Sequence, residues 1–431
     1  MFSKLCIAAH SIALASAALL GVSVQDAAEP QPDPAKLAVA EVSGARLLAN
    51  VEALASFGTR HTFSETESET HGIGAARRWI ESELRAISAG CNDRLEVRTQ
   101  AFKQNLVVAD GGKVAEIELV NVYGFLPGRV GNQTFLVSGH YDSICGDRYD
   151  VDCDAPGAND DASGTSVVLE CARVLSQFHF DANLIFLCVP GEEQGLIGSF
   201  HFSEQLGAEG LEVTAMFTND IVGGAHGPGF EHDHSRVRVF SGGDAMDSGA
   251  RELSRLIADT AQLHVPEFAV REVYQLDRNR RGGDHIPFHR LEIPAVRFTE
   301  AREDYRRQHK YVEADESTGD LPKFVSADYM AQVARVNVAT LARLASAPPT
   351  PQRFRVFGGM SHTTELSWDA SPGAVAYEVL WRETTANEWQ HAQRVEGTEL
   401  DLELTIDNYY WGVRAIGSAG HTGLPAAGPR Q

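Results

Sequence analysis

The sequence has 431 residues, 43% of them hydrophobic, which suits a soluble globular protein with more than one folded unit. Its formal net charge of -22 at pH 7 argues against nucleic acid or an anionic membrane surface as a partner, because both would repel it. Acidity of this kind excludes those partners without identifying a substrate.

The first 25 residues have the pattern of a secretory signal peptide. Lys4 gives a positive start, residues 7–24 are apolar with many small side chains, and polar sequence containing Pro30 follows. We expect cleavage within residues 23–28 and a secreted or periplasmic protein with no stable membrane insertion afterwards. The alternative is a membrane-anchoring helix, which a run of this length could form, but no basic cluster follows it.

Export makes a disulfide plausible among the remaining cysteines. Cys145 and Cys153 flank a short polar loop, so a local bridge between them is the best pairing. Cys171 and Cys188 stand in apolar sequence and are expected to be buried thiols. Cys91 makes the number odd, so at least one thiol stays free.

Residues 26–346 predict helices and strands in alternation. Residues 45–90 have helical apolar spacing around a turn at 57–61. The predicted strands are 116–123, 134–138, 183–189, 213–218, 237–241 and 295–299, and the predicted helices are 164–178, 196–206, 250–261 and 328–345. This alternation predicts an α/β fold with a mainly parallel central sheet flanked by helices.

The chain changes character at residues 347–351, whose sequence Ala-Pro-Pro-Thr-Pro reads as a linker. Residues 352–431 contain short alternating strands at 364–368, 377–382, 399–404 and 410–416. They predict a small all-β sandwich.

Polar residues with metal-binding chemistry follow several of the predicted strands. In a mainly parallel sheet, the ligand crevice lies beyond the carboxyl ends of the strands. His140 and Asp142 follow residues 134–138, Glu192 and Glu193 follow 183–189, and Asp220 follows 213–218. Imidazole and carboxylate together suit zinc, and a carboxylate that does not bind metal can move protons. A metallohydrolase is therefore the first hypothesis.

Each of these residues also has a structural interpretation. His140 and Asp142 could form a surface ion pair, and Asp220 could form a turn. Asp160 stands in a turn rich in Gly, Asn and Ser and could cap a helix, as Asp161 or Ser163 equally could. The Glu192-Glu193 pair favours function, because adjacent carboxylates facing a crevice repel each other unless a cation is present.

Five ordered motifs together resemble the co-catalytic dizinc exopeptidase family, which contains secreted bacterial leucyl-type aminopeptidases and glutamate carboxypeptidases. The motifs are HYDS at 140, PGANDDASG at 156, EEQGLIGS at 192, TND at 218 and GGDHIPF at 282, and the resemblance spans about residues 45–345. It implies a zinc peptidase domain over residues 26–346.

The resemblance also implies a role for each site residue. His140 and Asp220 would bind one zinc ion, Glu193 and His285 the other, and Asp160 would bridge both. Asp142 would orient His140, Glu192 would be the general base, and the Asp160–Asp161 peptide bond would be cis. The cofactor is therefore expected to be two Zn²⁺ per chain, although these ligands would also accept manganese or cobalt.

The sequence departs from the family at one position. Some members place a tyrosine just before the final ligand histidine, where this chain has Asp284. Tyr274 and Tyr305 are candidates to replace it, with no motif to support either. The segment His232-Asp233-His234 is interpreted as a solvated loop rather than a metal site.

The C-terminal region resembles a fibronectin type III domain. Leu366-Ser367-Trp368, Ala376–Val379 and the strand from Tyr409 to Ala415 match its core pattern, with Tyr409 as the corner tyrosine. These are core positions, so the resemblance implies a spacer or a module for surface or polymer attachment rather than catalysis.

The function expected from the sequence is that of a secreted, monomeric zinc aminopeptidase acting on peptides. A carboxypeptidase of the same family is the main alternative, because Arg278, Arg280 and Arg281 could hold a substrate carboxylate. A zinc glutaminyl cyclase is disfavoured because Ser163-Gly164 are present, and a non-catalytic receptor is disfavoured because Glu192 and the expected ligands are retained.

Overall fold

The apolar stretches of the sequence form the predicted sheet and its helices in a computed structural model that describes residues 33–131, 133–224, 233–243 and 248–427. The helices are α1 (Pro34–Ala40), α2 (Gly44–Ala55), α3 (Gly72–Gly90), α4 (Ala162–Leu175), α5 (Ile197–Gln205), α6 (Gly249–His264), α7 (His285–Arg290) and α8 (Ala327–Ala345). The strands of the large sheet are β1 (Glu96–Ala109), β2 (Lys113–Leu126), β3 (Thr134–His140), β4 (Asn183–Val189), β5 (Ala215–Asn219), β6 (Arg236–Ser241), β7 (Ala269–Val273) and β8 (Ala295–Glu300).

These eight strands lie in the order β1-β2-β4-β3-β5-β8-β6-β7. The pairs β4–β3, β3–β5, β5–β8 and β6–β7 are parallel. The pairs β1–β2, β2–β4 and β8–β6 are antiparallel. The α/β fold with a mainly parallel central sheet is therefore confirmed.

Alternate residues of the central strands enter two hydrophobic cores, one on each face of the sheet. In β4, Leu184, Phe186 and Cys188 belong to the larger core, and Ile185, Leu187 and Val189 belong to the smaller one. The larger core contains buried residues of α1, α2, α3, α4, α6 and α8, whereas the smaller core contains Phe202 of α5 and Phe288 of α7. Because both faces are covered, the strands are almost wholly apolar.

Two glycines allow α4 to begin directly against the sheet. A Cβ on Gly139 would lie 2.6 Å from the carbonyl carbon of Gly164, and one on Gly164 would lie 2.1 Å from the carbonyl oxygen of Asn219. Side chains at these positions would push the helix away from β3 and β5. The glycines thus bring the start of α4 to the ends of those strands.

The sequence located the central elements within a few residues of their observed ends. It missed β1, β7, α1 and α7, whose apolar residues do not form long runs with a clear period. β1 lies at the edge of the sheet beside β2, and most of its residues are exposed or half-buried, so no continuous apolar run marks it.

The predicted cysteine pairing is confirmed. Cys145 and Cys153 form a disulfide, and Cys91, Cys171 and Cys188 are free and buried. The predicted signal peptide, residues 1–25, lies outside the described residues. Throughout the described part of the chain, each helix is too short or too polar to cross a bilayer.

The C-terminal region forms two antiparallel sheets, ordered β13-β10-β9 and β12-β11-β14-β15. Its strands are β9 (Arg355–Phe357), β10 (Thr364–Ser367), β11 (Ala374–Glu383), β12 (His391–Val395), β13 (Glu399–Leu402), β14 (Tyr409–Gly417) and β15 (Ala426–Ala427). Trp368, Tyr377 and Trp411 lie in its core, as the resemblance implied. The assignment to fibronectin type III itself stays a prediction.

The segment predicted as a linker is packed against both parts of the protein. The Ala347 carbonyl accepts a hydrogen bond from Gln133 at 3.2 Å, and the Thr350 hydroxyl donates to the Leu424 carbonyl at 2.9 Å. Ala347 is buried, and the ring of Pro348 lies close to Gly417. Residues 347–351 therefore join the two parts through contacts of their own.

Candidate metal centre

The carboxyl ends of β4, β3 and β5 meet at one edge of the sheet, because these neighbouring strands are parallel. His140 is the last residue of β3, Glu192 and Glu193 follow β4, and Asp220 follows β5. Asp160 reaches the same place from the turn before α4. The sheet thus brings together five of the seven predicted site residues. A sixth, Asp142, is separated from His140 in the sequence only by Tyr141.

One group of buried ligand atoms consists of His140, Asp160 and Asp220. Nε2 of His140 lies 3.2 Å from Oδ1 of Asp160 and 3.9 Å from Oδ1 of Asp220. All three side chains are almost completely buried. The resemblance assigned these three residues to the first zinc ion, with Asp160 shared.

A second group consists of Asp160, Glu193 and His309. Nε2 of His309 lies 3.1 Å from Oδ2 of Asp160 and 2.9 Å from Oε1 of Glu193. Asp160 therefore presents one oxygen to each imidazole and belongs to both groups.

The prediction of His285 in the second group is wrong. Its Nε2 lies 2.6 Å from the Leu276 carbonyl oxygen and 4.0 Å from Oδ2 of Asp277, and the ring is fully buried. Burial lowers the pKa of His285 to about 4, so the imidazole is neutral at pH 7. His285 begins α7, and its ring is held by the preceding loop instead of entering the cluster.

His309 lies in the long segment after β8 that has few regular elements, and no motif marked it. One signal could have found it. β8 is parallel to β5, so its carboxyl end meets the same edge, and His309 is the only histidine in the 45 residues that follow it along the chain. Asp220 and Glu193 were found by the rule that binding residues follow the carboxyl ends of parallel strands. The same rule, applied to β8, would have identified His309.

Neither of the two histidines follows a tyrosine. The residue before His309 is Gln308, and the residue before His285 is Asp284, which is buried and accepts a 2.6 Å hydrogen bond from Ser199. Tyr274 hydrogen-bonds to Asn387 of the C-terminal region, and Tyr305 is 64% exposed. In the described part of the chain, neither tyrosine contacts the cluster.

Asp142 holds both the histidine and the glutamate pair. Its backbone carbonyl oxygen lies 3.2 Å and its Oδ1 lies 3.4 Å from Nδ1 of His140, on the side of the ring away from the cluster. Its two oxygens accept hydrogen bonds from the backbone amides of Glu192 and Glu193, each at 3.2 Å. A histidine that binds a metal is often oriented in this way by a carboxylate.

Glu192 belongs to a further group of neighbouring ligand atoms, with His140 and Glu193, and among the described residues it makes no side-chain hydrogen bond to the other members of the cluster. Burial raises the pKa of its carboxyl group well above the usual range, against the opposing charge of His140, and the charges of Asp220 and Glu193 raise the pKa further. Glu192 lines a cavity of about 270 Å³ with Asp160, Asp220 and His309. A carboxylate with a raised pKa in such a cavity can accept and return a proton.

The described atoms of the cluster fit a cation. Nε2 of His140, Oδ2 of Asp160 and Oδ1 of Asp220 are buried and have no hydrogen-bond partner with acceptable geometry. Buried polar atoms without partners are costly, and a metal ion would satisfy them. Two imidazoles and three carboxylates form a donor set that suits zinc.

A further carboxylate that the sequence analysis missed positions the loop of Asp160. Asp320 accepts hydrogen bonds from the amides of Asn159 at 2.8 Å and Asp160 at 2.7 Å. The buried Arg60 donates to the carbonyl of Gly157 at 2.9 Å and to that of Tyr141 at 2.8 Å. The Asp160–Asp161 peptide bond is cis, as the resemblance implied.

Residues 121–337 match the sequence profile of peptidase family M28, a range that contains both groups of ligand atoms. A probable zinc metalloprotease of Pyricularia oryzae is 39% identical over 417 residues, which cover 89% of this chain and 82% of the relative. The chain belongs to peptidase family M28.

Solved structures with the same fold include enzymes of two kinds. LapA aminopeptidase of Legionella pneumophila superposes with a TM-score of 0.54 at 20% identity, over 72% of this M28 peptidase and 74% of LapA. An aminopeptidase from Aneurinibacillus sp. strain AM-1 gives 0.55 at 16% identity over 72% and 96%. A glutaminyl cyclase of Porphyromonas gingivalis gives 0.50 at 19% identity over 70% and 98%. At these identities the likeness concerns the fold.

The other wall of the M28 peptidase's cavity is basic. Arg148, Arg278 and Arg281 line it together with Gly195, Leu196 and Gly282. Arg148 belongs to the loop closed by the Cys145–Cys153 disulfide, and the other two arginines follow β7. Of the segment His232-Asp233-His234, His232 lies outside the described residues, and Asp233 pairs with Arg236 at 2.9 Å.

Proposed function

We propose that this M28 peptidase is an aminopeptidase that holds two zinc ions and removes amino-terminal residues from peptides. The observation that carries the proposal is the position of Asp160, whose two oxygens lie 3.2 Å and 3.1 Å from the imidazoles of His140 and His309. Zinc is supported by the donor set and by the relative described as a probable zinc metalloprotease.

The residues of the two groups would hold the metal. His140 and Asp220 would hold one zinc ion, Glu193 and His309 would hold the other, and Asp160 would contribute to both. Zinc bound at these positions would lower the pKa of a water molecule and polarise the scissile carbonyl.

Glu192 provides the proton transfer. Its carboxylate accepts a proton from the attacking water and delivers it to the nitrogen of the leaving amine. The raised pKa of Glu192, caused mainly by its burial, favours this role, because it makes the carboxylate a better proton acceptor than an exposed glutamate. Asp142 keeps the imidazole of His140 and the backbone of Glu192 in place through the contacts described above.

The aminopeptidase assignment is supported by the two aminopeptidases with this fold. A carboxypeptidase is the second candidate, because Arg148, Arg278 and Arg281 line the cavity and could hold a carboxylate. A glutaminyl cyclase shares the fold, but Ser163-Gly164 are present, and the second group of ligands supports two cations rather than one.

The test compares two substrates with the zinc-loaded enzyme. One is leucine p-nitroanilide, which has a free amine, and the other is an amino-blocked dipeptide with a free carboxylate. We expect hydrolysis of the anilide and little or none of the blocked dipeptide. Cleavage of the blocked dipeptide alone would overturn the aminopeptidase assignment in favour of a carboxypeptidase.

We also propose that the protein is exported as a monomer and that its C-terminal region serves as a spacer or attachment module. The Cys145–Cys153 disulfide supports export, because such bonds persist in oxidising compartments. Mass spectrometry of the amino terminus tests this proposal. Secreted protein that begins between residues 24 and 29 is the expected result, and intact protein retained in the cell contradicts it.

A further inference from the structure

The basic wall of the cavity is held in place by one buried carboxylate, Glu303. Its Oε1 accepts from Arg238 at 2.6 Å, and its Oε2 accepts from Arg278 and Arg281, each at 2.8 Å. The Glu303 side chain is 1% exposed. A single carboxylate thus fixes two of the three arginines that line the cavity.

The two arginines held by Glu303 differ in how their donors are used. Arg278 also bonds to Asp277 at 3.1 Å, and its side chain is 8% exposed. Arg281 is 30% exposed and uses a single nitrogen, Nη1, for both Glu303 and Gln308. In the described part of the chain, Nε and Nη2 of Arg281 have no hydrogen-bond partner.

Gln308 places Arg281 beside the second group of ligands. Its Oε1 accepts from Nη1 of Arg281 at 2.9 Å, and its Nε2 donates to Glu303 at 3.1 Å. The next residue is His309, which contacts both Asp160 and Glu193. Arg281 therefore lines the same cavity as Asp160, Glu192 and Glu193.

Four guanidinium groups meet in this network: Arg238, Arg278 and Arg281 pair with Glu303, and Arg297 pairs with Asp220 and Asp277, which also pairs with Arg278. Arg281 is the most exposed of the four, with 30% of its side chain accessible, and it leaves two nitrogens unused. It is therefore the member of the network that a ligand in the cavity can reach.

We propose that Arg281 binds a carboxylate of the substrate and makes the enzyme selective for peptides that carry one close to the scissile bond. Arg148, which lines the same cavity from the disulfide loop, adds a second positive charge. A planar guanidinium with two free nitrogens matches a carboxylate in a bidentate arrangement. This inference rests on the proposed peptidase function and specifies its substrate class.

The carboxylate can come from two sources, an acidic side chain at the amino-terminal residue or the free carboxyl terminus of a short peptide. Two matched pairs separate them. The first compares glutamate p-nitroanilide with glutamine p-nitroanilide, and the second compares Leu-Gly with Leu-Gly amide. In each pair the ratio of kcat/KM for the acid to kcat/KM for its neutral partner reports carboxylate recognition.

The decisive variant is Arg281→Met, with Arg280→Met as the matched control. Arg280 is exposed, lies in the same loop and is absent from the cavity lining, so its loss removes the same charge without removing the contact. We expect Arg281→Met to lower the ratio about 10- to 100-fold for at least one pair, as losing a charge-assisted hydrogen bond does. Arg280→Met should change it less than about 3-fold, within the small effect of a screened surface charge.

Arg281→Lys keeps the charge without the planar fork and should give an intermediate ratio. An unchanged ratio in Arg281→Met for both pairs, with a melting temperature like that of the wild type, overturns the proposal. An equal fall in Arg280→Met also overturns it, because the effect would then be one of long-range charge.

Failure of the aminopeptidase assignment can be distinguished from failure of this proposal. Titration calorimetry with glutamate and glutamine measures the same preference without turnover. If the enzyme cleaves only amino-blocked peptides, the aminopeptidase assignment fails while loss of glutamate binding in Arg281→Met still supports carboxylate recognition. Equal binding of both amino acids to the wild type and to Arg281→Met, together with unchanged ratios, refutes it.

Discussion

Asp160 is the residue on which the two ligand groups depend. Asp160 is buried, and His140 and His309 approach different oxygens of its carboxylate. Burial alone would raise the pKa of Asp160, but its contacts with these imidazoles hold that pKa well below the usual range. The carboxylate is therefore ionised, as a metal ligand must be.

The role of Glu192 is tested by Glu192→Gln. We expect the variant to keep its zinc and to lose about 100- to 10,000-fold in kcat, because the amide cannot accept a proton from water. Metal analysis after gel filtration and steady-state kinetics with leucine p-nitroanilide measure the two properties.

The same variant should melt no lower than the wild type, since one of several repelling carboxylates is removed. Full activity in Glu192→Gln would remove this residue from its proposed role. Loss of zinc would instead assign it to the ligands.

A matched pair of variants tests whether His309, rather than His285, is the histidine of the second ligand group. His309→Gln should lower zinc affinity by at least the roughly 10- to 100-fold that follows loss of an outer partner. His285→Gln should lower zinc affinity by less than about 10-fold, because the ring of His285 contacts the Leu276 carbonyl rather than the cluster.

Competition with a chelator gives both affinities under the same conditions. Greater loss of zinc from His285→Gln than from His309→Gln would contradict the assignment. A lower melting temperature in His285→Gln is expected, because its imidazole is fully buried.

At the scale of elements, the loops after the parallel strands carry the chemistry, and buried charges hold those loops. Asp320 fixes the turn before α4 through the amides of Asn159 and Asp160. Glu303 similarly fixes the loop after β7 through Arg278 and Arg281. Asp320 does not follow a strand directly, so strand-end reasoning could not find it. Glu303 lies three residues after β8 and was missed because that reasoning was not applied to β8.

Glu303 gives a prediction about pH. Burial alone would raise its pKa, but the charges of Arg278, Arg238 and Arg281 lower it to about 2, against an ordinary value of 4.5. Since the folded-state pKa is depressed, ionised Glu303 stabilises the protein fully above pH 4.5, and this stabilisation is lost as the pH falls toward 2.

Glu303→Gln should therefore cost about 3 kcal/mol in the free energy of unfolding at pH 6. That cost should shrink by about 1 kcal/mol at pH 3.5. Urea unfolding of both proteins at the two pH values checks the prediction. A cost that stays constant or grows toward low pH would show that the ionised form is not the stabilising one.

At the scale of the whole molecule, the C-terminal sheets are joined to the peptidase part by specific polar contacts. The indole nitrogen of Trp389 donates to Glu252 at 3.1 Å, and Arg255 donates to the carbonyl of Asn387 at 2.7 Å. The side-chain amide of Asn387 also donates to Glu272 at 3.1 Å. Glu272 lies in β7, the strand that precedes the loop containing Arg278. The two parts therefore share buried charges.

Trp389→Phe tests this junction, because it removes the donor to Glu252 together with the outer atoms of the indole ring that lie against Gly412. We expect a loss of at least about 1–2 kcal/mol in the free energy of unfolding, the cost of a hydrogen bond to a charged group. Equilibrium urea unfolding measures it. Unchanged stability would show that the contact contributes nothing to joining the two parts.

The sequence by itself determined the α/β fold, the all-β C-terminal region, the disulfide and most of the cluster. It could do so because β3, β4 and β5 are apolar runs that end in polar motifs, and a parallel sheet brings such ends together. His309, Asp320 and Glu303 were decided only by the tertiary structure. They lie in segments without periodic pattern, and their positions depend on how a long loop folds back over the sheet edge.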